Sequence, residues 1–144
     1  MSAIIAITRA APLTTVQDDG RFGHLRHGIS ASGPMDRAAY ALAGALVGAD
    51  HPGIEITMAG IALILHSGNC RIGLAGGSFV ARLNNKAVPW PGVVMLQAGD
   101  ELTVTPGAAG NFGYLRFDGP LLLPMVMGSV STSSRARLCG LDGR

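Results

Sequence analysis

Between Gly53 and Phe117 the chain repeats one pattern: a short run of β-branched and apolar residues, then a turn signal. The runs fall at residues 53–58, 62–66, 70–75, 79–83, 93–96, 101–105 and 113–117. Each is of strand length, and recurrence every roughly 8–12 residues predicts a sandwich or barrel rather than a βαβ sheet. The turns have a chemistry of their own. Asn84-Asn85, between FVARL and KAVPW, signals a tight hairpin, because that turn needs positive φ and Asn tolerates it. Ala98-Gly99-Asp100 and Pro106-Gly107 mark two more turns. Two earlier strand-like runs stand at residues 4–8, ended by Pro12, and 14–17, ended by Asp18-Asp19-Gly20. GLAGGSF at 73–79 reads as a bulge or turn, since it lacks the Gly-Lys-Ser/Thr ending and following helix of a phosphate loop.

One helix interrupts this β pattern. Residues 35–47 are rich in Ala and Leu, Pro34 suits a first turn, and Ser32 or Asp36 can cap the start. Met35, Ala39, Leu42 and Leu46 recur at three- and four-residue spacings, which predicts a core-facing stripe. Gly48 is placed to end the helix with a left-handed cap.

Hydrophobic residues make up 48% of the chain and charged ones 14%, so a concentration of polar groups is informative. It occurs at residues 13–36, LTTVQDDGRFGHLRHGISASGPMD, where no period of strand or helix survives after Gly20. A long ordered loop in a compact domain usually has a function. In the functional reading, Asp18 or Asp19 orients or deprotonates a substrate amide, and the planar fork of Arg21 grips a carboxylate. In the structural reading, Asp18 closes an Asx-type turn on its own backbone and pairs with Arg21. His24 and His27, with Arg26 between them, lack the further ligands a metal would need and read as solvent-facing or turn-satisfying. His51 and His66 read as structural. Ser30, Ser32 and Asp36 form a second cluster: Ser32 is either a plain helix cap or part of an anion site at the helix start. No Gly-x-Ser-x-Gly elbow supports a serine nucleophile. Glu55, between Ile54 and Ile56, faces away from both and is either solvated or lines a pocket at one end of the barrel.

These stretches also carry a resemblance. LTTVQDDGRFG and GISASGPMD, then LAGALVGAD at 42–50, GIEITMAG at 53–60 and GSVSTSSRARLCGLDGR at 128–144, resemble the allophanate hydrolase subunit 2 family. That family takes in the C-type subunit of 5-oxoprolinase, the KipI antagonist and the carboxyltransferase domain of biotin-dependent urea carboxylase. Asp19, Phe22 and His24 depart from the hydrophobic residue, proline and aromatic that the family favours there. The resemblance implies an all-β fold with one helix, a cyclophilin-like β-barrel over residues 1–127, followed at 128–144 by the start of a second half. Members run to about twice this length, so the chain is expected to be a first half, naturally separate or truncated. It also implies catalytic roles for Asp18 and Arg21, and substrate contacts from Ser30, Ser32, Gly33, Asp36, Glu55 and Ser131. Ser129 and Thr132 belong to the same second polar segment, whose other reading is a hydroxyl-rich linker.

Three functions follow from the resemblance. The first is a component of a 5-oxoprolinase complex, a hydrolase opening 5-oxoproline to glutamate with A-type and B-type partner subunits; the complex uses ATP, and this chain binds no cofactor. The second is carboxyl transfer from carboxybiotin to urea, with biotin carried on another segment or chain. The third is a regulatory protein that binds a KipI-like kinase inhibitor. The first is the expected one.

Composition narrows the rest. The net charge of +2 is small and scattered, without the basic runs or aromatic platforms of a nucleic-acid binder. Cys70 and Cys139 have neither zinc-site spacing nor a visible secretory context. No apolar run approaches the roughly 20 residues that span a bilayer, and a soluble, cytoplasmic setting is the expectation. GPLLLPMVMGS, at 119–129, is expected to be a connection resting on something apolar in a partner or second half.

Overall fold

The apolar runs fold into ten strands, with one helix packed against the outside of a sheet. A computed structural model describes residues 2–140; Leu141 to Arg144, the end of the last family-like stretch, lie outside the described residues. In chain order the strands are β1 (Ile4–Ala10), β2 (Thr15–Gln17), β3 (Gly53–Thr57), β4 (Ile61–Ser67) and β5 (Asn69–Ala75). They continue as β6 (Val80–Leu83), β7 (Lys86–Val88), β8 (Gly92–Gln97), β9 (Glu101–Thr105) and β10 (Phe112–Phe117). Helix α1 (Arg37–Val47) lies between β2 and β3, and a single 3-10 turn (Leu25–His27) interrupts the loop before it.

Two antiparallel five-stranded sheets result, in the orders β1-β4-β9-β6-β7 and β2-β3-β10-β5-β8. The expected class, all-β with one helix, is what forms. The two sheets pack face to face, and no ladder joins them into one hydrogen-bonded ring among the described residues. The core lies between them: Ile61, Leu63, Leu65, Leu102 and Val104 on the first sheet meet Ile56, Ile72, Leu74, Leu96 and Leu115 on the second. Full burial of a side chain of this kind contributes roughly 1.5–3 kcal/mol. The Asn84-Asn85 hairpin forms as expected, with both residues at positive φ, and pairs β6 with a short β7 that the apolar pattern does not mark.

Helix α1 covers the outer face of the second sheet, and the expected stripe is on the wrong side. Met35, Leu42 and Leu46 are exposed, whereas Tyr40, Ala43, Gly44 and Val47 are buried. Both sets recur at helical spacing, so the period alone does not choose between them. Backbone distance chooses. A Cβ on Gly73 would overlap the Ala43 carbonyl, and only small residues on the helix fit so close to β5. The helix also starts at Arg37 rather than at residue 35. Asp36 is its cap, with extended backbone and a side chain accepting from the Ala39 N–H at 3.0 Å, and Ser32 takes no part. Gly48 ends the helix in the left-handed region at φ 64°, as expected.

The segment after residue 128 packs on the fold. Ser129 to Ser133 are buried, and Thr132 meets β2 through hydrogen bonds both to and from Val16. The preceding apolar connection leaves Leu122, Met125 and Met127 exposed. Both cysteines are free thiols, Cys70 in the core and Cys139 half-buried. No helix among the described residues is long and apolar enough to cross a membrane.

Candidate functional site

The polar stretch folds into a loop whose ends are tied together. Strand β2 delivers it through Gln17, which is buried and uses both ends of its amide. Its Oε1 accepts from the Gly33 N–H at 3.0 Å, and its Nε2 donates to Thr15 Oγ1 at 2.9 Å. The Arg21 N–H donates to the Ala31 carbonyl at 2.7 Å and closes the neck. Gly20 is required at that neck: φ is 112°, and a Cβ would stand 2.7 Å from the Ala31 oxygen. Gly33 is equally confined, between the Asp19 carbonyl and the Arg37 guanidinium.

Asp18 fastens the loop to the C-terminal segment. Its Oδ1 accepts from Ser129 Oγ and Ser131 Oγ, each at 2.6 Å, and from the Gly20 N–H at 2.9 Å. Its Oδ2 accepts from the Val130 N–H at 2.9 Å. Burial pushes this carboxyl up, but the two serine hydroxyls and the two amides together hold it below its ordinary value. The turn reading is half met: the Gly20 contact is an Asx-type turn, but no ion pair with Arg21 forms. A carboxylate already accepting four hydrogen bonds is a poor base and a good anchor.

Arg21 is 1% exposed and donates to main-chain carbonyls. Its Nε donates to Val126 O at 3.2 Å, and its Nη2 donates to Ser131 O at 2.8 Å and Ser129 O at 3.3 Å. Cys139 Sγ lies 3.2 Å from the same Nη2, and Nη1 has no partner among the described residues. Asp18 and Arg21 therefore hold the 126–131 strap from two sides, as carboxylate to donors and guanidinium to acceptors. Ser131 belongs to this clip, giving its hydroxyl to Asp18 and its carbonyl to Arg21.

Glu55 is 5% exposed, so it is not solvated, which corrects that expectation. It faces away from the core, as the strand period requires, but α1 and the loop cover it. Its Oε2 accepts from Tyr114 OH and from the Met35 N–H, each at 2.7 Å. Tyr114 OH in turn accepts from the Asp36 N–H at 2.7 Å. Burial raises the Tyr114 phenol well above its ordinary range; the Asp36 amide opposes this and Glu55 adds to it, so the phenol stays protonated. Three N–H groups at the helix start are thus engaged: Met35 by Glu55, Asp36 by Tyr114 and Ala39 by the Asp36 cap.

What remains open to solvent is the outer part of the loop. Ser30 and Asp36 are exposed, Ser32 is half-buried at φ 57°, and His24 precedes the 3-10 turn that His27 ends, where Arg26 Nε donates to His27 Nε2 at 3.2 Å. Asp19 is exposed, and its carbonyl accepts from Arg37 at 3.1 Å. No group of three or more His, Cys, Asp or Glu that could hold a metal occurs among the described residues. The arrangement is a fixed platform whose buried polar groups serve each other. Its outward face offers hydroxyls, a carboxylate and main chain for binding. The sequence reading missed Gln17, Tyr40, Tyr114 and Arg116. Tyr114 and Arg116 do leave a signal: they alternate with Leu115 and Phe117 on β10, which puts polar groups on the face away from the core.

Comparison with known proteins agrees with this fold. The family described as carboxyltransferase domain, subdomain A and B, matches residues 27–144. The C-type subunit of the Escherichia coli (strain K12) 5-oxoprolinase is 38% identical over 144 residues, covering 98% of this chain and 46% of that protein. The urea amidolyase of Saccharomyces cerevisiae is 33% identical over 143 residues, covering 97% of this chain and 8% of that protein. The crystal structure of the K. lactis urea amidolyase is similar at a TM-score of 0.92 and 32% identity, over 99% of this chain and 9% of that one. The chain therefore spans less than half the length of each of these relatives.

Proposed function

This chain belongs to the carboxyltransferase subdomain A and B family, and from that membership we propose that it acts as the C-type component of an ATP-dependent 5-oxoprolinase. In that role it works with an A-type subunit and a KipI-like B-type subunit to open 5-oxoproline to glutamate, the ATP being bound elsewhere in the complex. The observation that carries this reading is the 38% identity to the C-type 5-oxoprolinase subunit of Escherichia coli across 98% of the chain. Within it, the exposed part of the loop, with Ser30, Ser32, Gly33 and Asp36, faces the substrate. Asp18, Arg21, Glu55 and Ser131 act as positioning residues that fix this face by anchoring its two ends. Preorganisation of this kind matters because a small misplacement of binding groups weakens catalysis sharply.

The match to the K. lactis urea amidolyase structure, at a TM-score of 0.92, supports a second reading: a carboxyltransferase half acting on urea with carboxybiotin. One experiment separates the two. The chain is combined with A- and B-type subunits, 5-oxoproline and ATP in one arm, and with carboxybiotin and urea in the other. The first reading predicts glutamate release that requires this chain; urea-dependent loss of carboxybiotin without glutamate release would replace it by the second.

A further inference from the structure

Beneath α1, Arg116 is only 2% exposed. Glycines make its seat: a Cβ on Gly44 would stand 2.7 Å from its Nη1, and one on Gly53 would stand 2.6 Å from its Cδ. Its Nε donates to His51 O at 2.8 Å and its Nη1 to Tyr40 O at 2.9 Å. Its Cζ lies 3.7 Å from the centre of the Tyr40 ring. These contacts aim the group, and none of them carries a negative charge. The carboxylate paired with it is Asp50, 3.6 Å from Nη2, whose side chain is 97% exposed. A buried cation is costly unless an opposite charge sits close to it, and a solvated carboxylate at that distance returns little.

Arg116 and Asp50 line a pocket of about 240 Å³ together with Arg37, Tyr40, Ala41 and Ala45. Arg37 is tethered there by its bond to the Asp19 carbonyl at 3.1 Å, which leaves its other donors free to turn inward. We infer that this pocket is a binding site for a small carboxylate, which pairs with Arg116 in place of Asp50 while Arg37 closes over it. The planar fork of arginine matches a carboxylate with two parallel bonds. Asp19 and Asp50 at the same pocket disfavour a dianion such as phosphate. The volume lies below the roughly 300–1,000 Å³ of drug-sized sites, so the ligand is of amino-acid size, its short apolar body against the alanines of α1. The inference stands independently of the oxoprolinase reading.

The test is calorimetric titration of the full chain with acetate, propionate and 5-oxoproline, beside 2-pyrrolidone, which lacks the carboxylate, and inorganic phosphate. At least one carboxylate binds, 2-pyrrolidone does not, and phosphate binds more weakly. Asp50→Asn removes the competing carboxylate at an exposed position and tightens carboxylate binding about two- to fivefold, while Arg37→Gln weakens it by a similar factor. Gly44→Ala displaces the Arg116 guanidinium and lowers affinity further. Binding by none of the three carboxylates, equal binding of 2-pyrrolidone, tighter binding of phosphate, or unchanged affinity in both Asp50→Asn and Arg37→Gln would overturn the inference. Carboxylate binding that persists in a chain unable to support glutamate release would count against the oxoprolinase reading alone.

Discussion

Replacing Asp18 by Ala removes the acceptor that joins the loop to the C-terminal strap, and its cost follows from the contacts. Four donors lose their partner at once: the hydroxyls of Ser129 and Ser131 and the amides of Gly20 and Val130. Hydrogen bonds to a charged group contribute roughly 1.5–3 kcal/mol each, but the two hydroxyls can rotate to other acceptors. The carboxylate is only half-buried, which lowers the sum again. We expect a loss of about 3 kcal/mol in urea-monitored unfolding, with the amides of 129–131 losing protection from hydrogen exchange first. The pH dependence has a definite sign. The folded-state value of Asp18 is depressed, so its stabilisation is complete above the ordinary aspartate range and fades as pH falls through that range toward the folded value. The gap between wild type and Asp18→Ala is therefore widest near neutrality, begins to narrow near about pH 4 and is lost only as the pH falls through the folded value. An Asp18→Ala chain within about 0.5 kcal/mol of wild type at pH 7 would refute this account of the clip.

Three further outcomes follow from the same geometry. Gly20→Ala forces a Cβ onto the Ala31 oxygen at positive φ and should cost about 1–3 kcal/mol in thermal or urea unfolding, the loop neck opening first. Tyr114→Phe removes the hydroxyl that links Glu55 to the Asp36 N–H; a loss of about 1–3 kcal/mol is expected by chemical denaturation. Leu42→Ala on the exposed face of α1 should cost less than about 1 kcal/mol, whereas Ala43→Leu, against β5, should prevent native packing, as read by near-UV circular dichroism.

Local features of this fold are legible in the sequence, and features that depend on distant residues are not. Residues 84 and 85 announce their hairpin because the turn needs only what Asn itself tolerates, and the strand runs of 53–117 announce themselves by their own composition. The buried face of α1 is decided by Gly73 on β5, so the leucine stripe at 42 and 46 looks as good as the true face of Tyr40, Ala43, Gly44 and Val47. The candidate site divides in the same way. The density of polar residues at 13–36 picks out the loop that the fold ties down, and the resemblance points to Ser131, which helps to tie it. Yet the partners of Asp18 lie more than 100 positions away, so its use as an anchor is invisible locally. Arg116 passes for a solvent-facing residue of β10, because nothing near it in the chain reveals that a helix covers it.

The central claim is that Asp18 and Arg21 hold a substrate-facing platform in place and do not themselves react. The most direct measurement is glutamate release by the complex reconstituted with Asp18→Ala or Asp18→Asn, read beside the amount of chain assembled with its A- and B-type partners. The account predicts that turnover per assembled complex falls in Asp18→Ala and is largely recovered in Asp18→Asn, whose amide oxygen still accepts from Ser129, Ser131 and Gly20 but cannot act as a base. Turnover abolished in Asp18→Asn as fully as in Asp18→Ala, with assembly at wild-type levels, would contradict it and make Asp18 a reacting group.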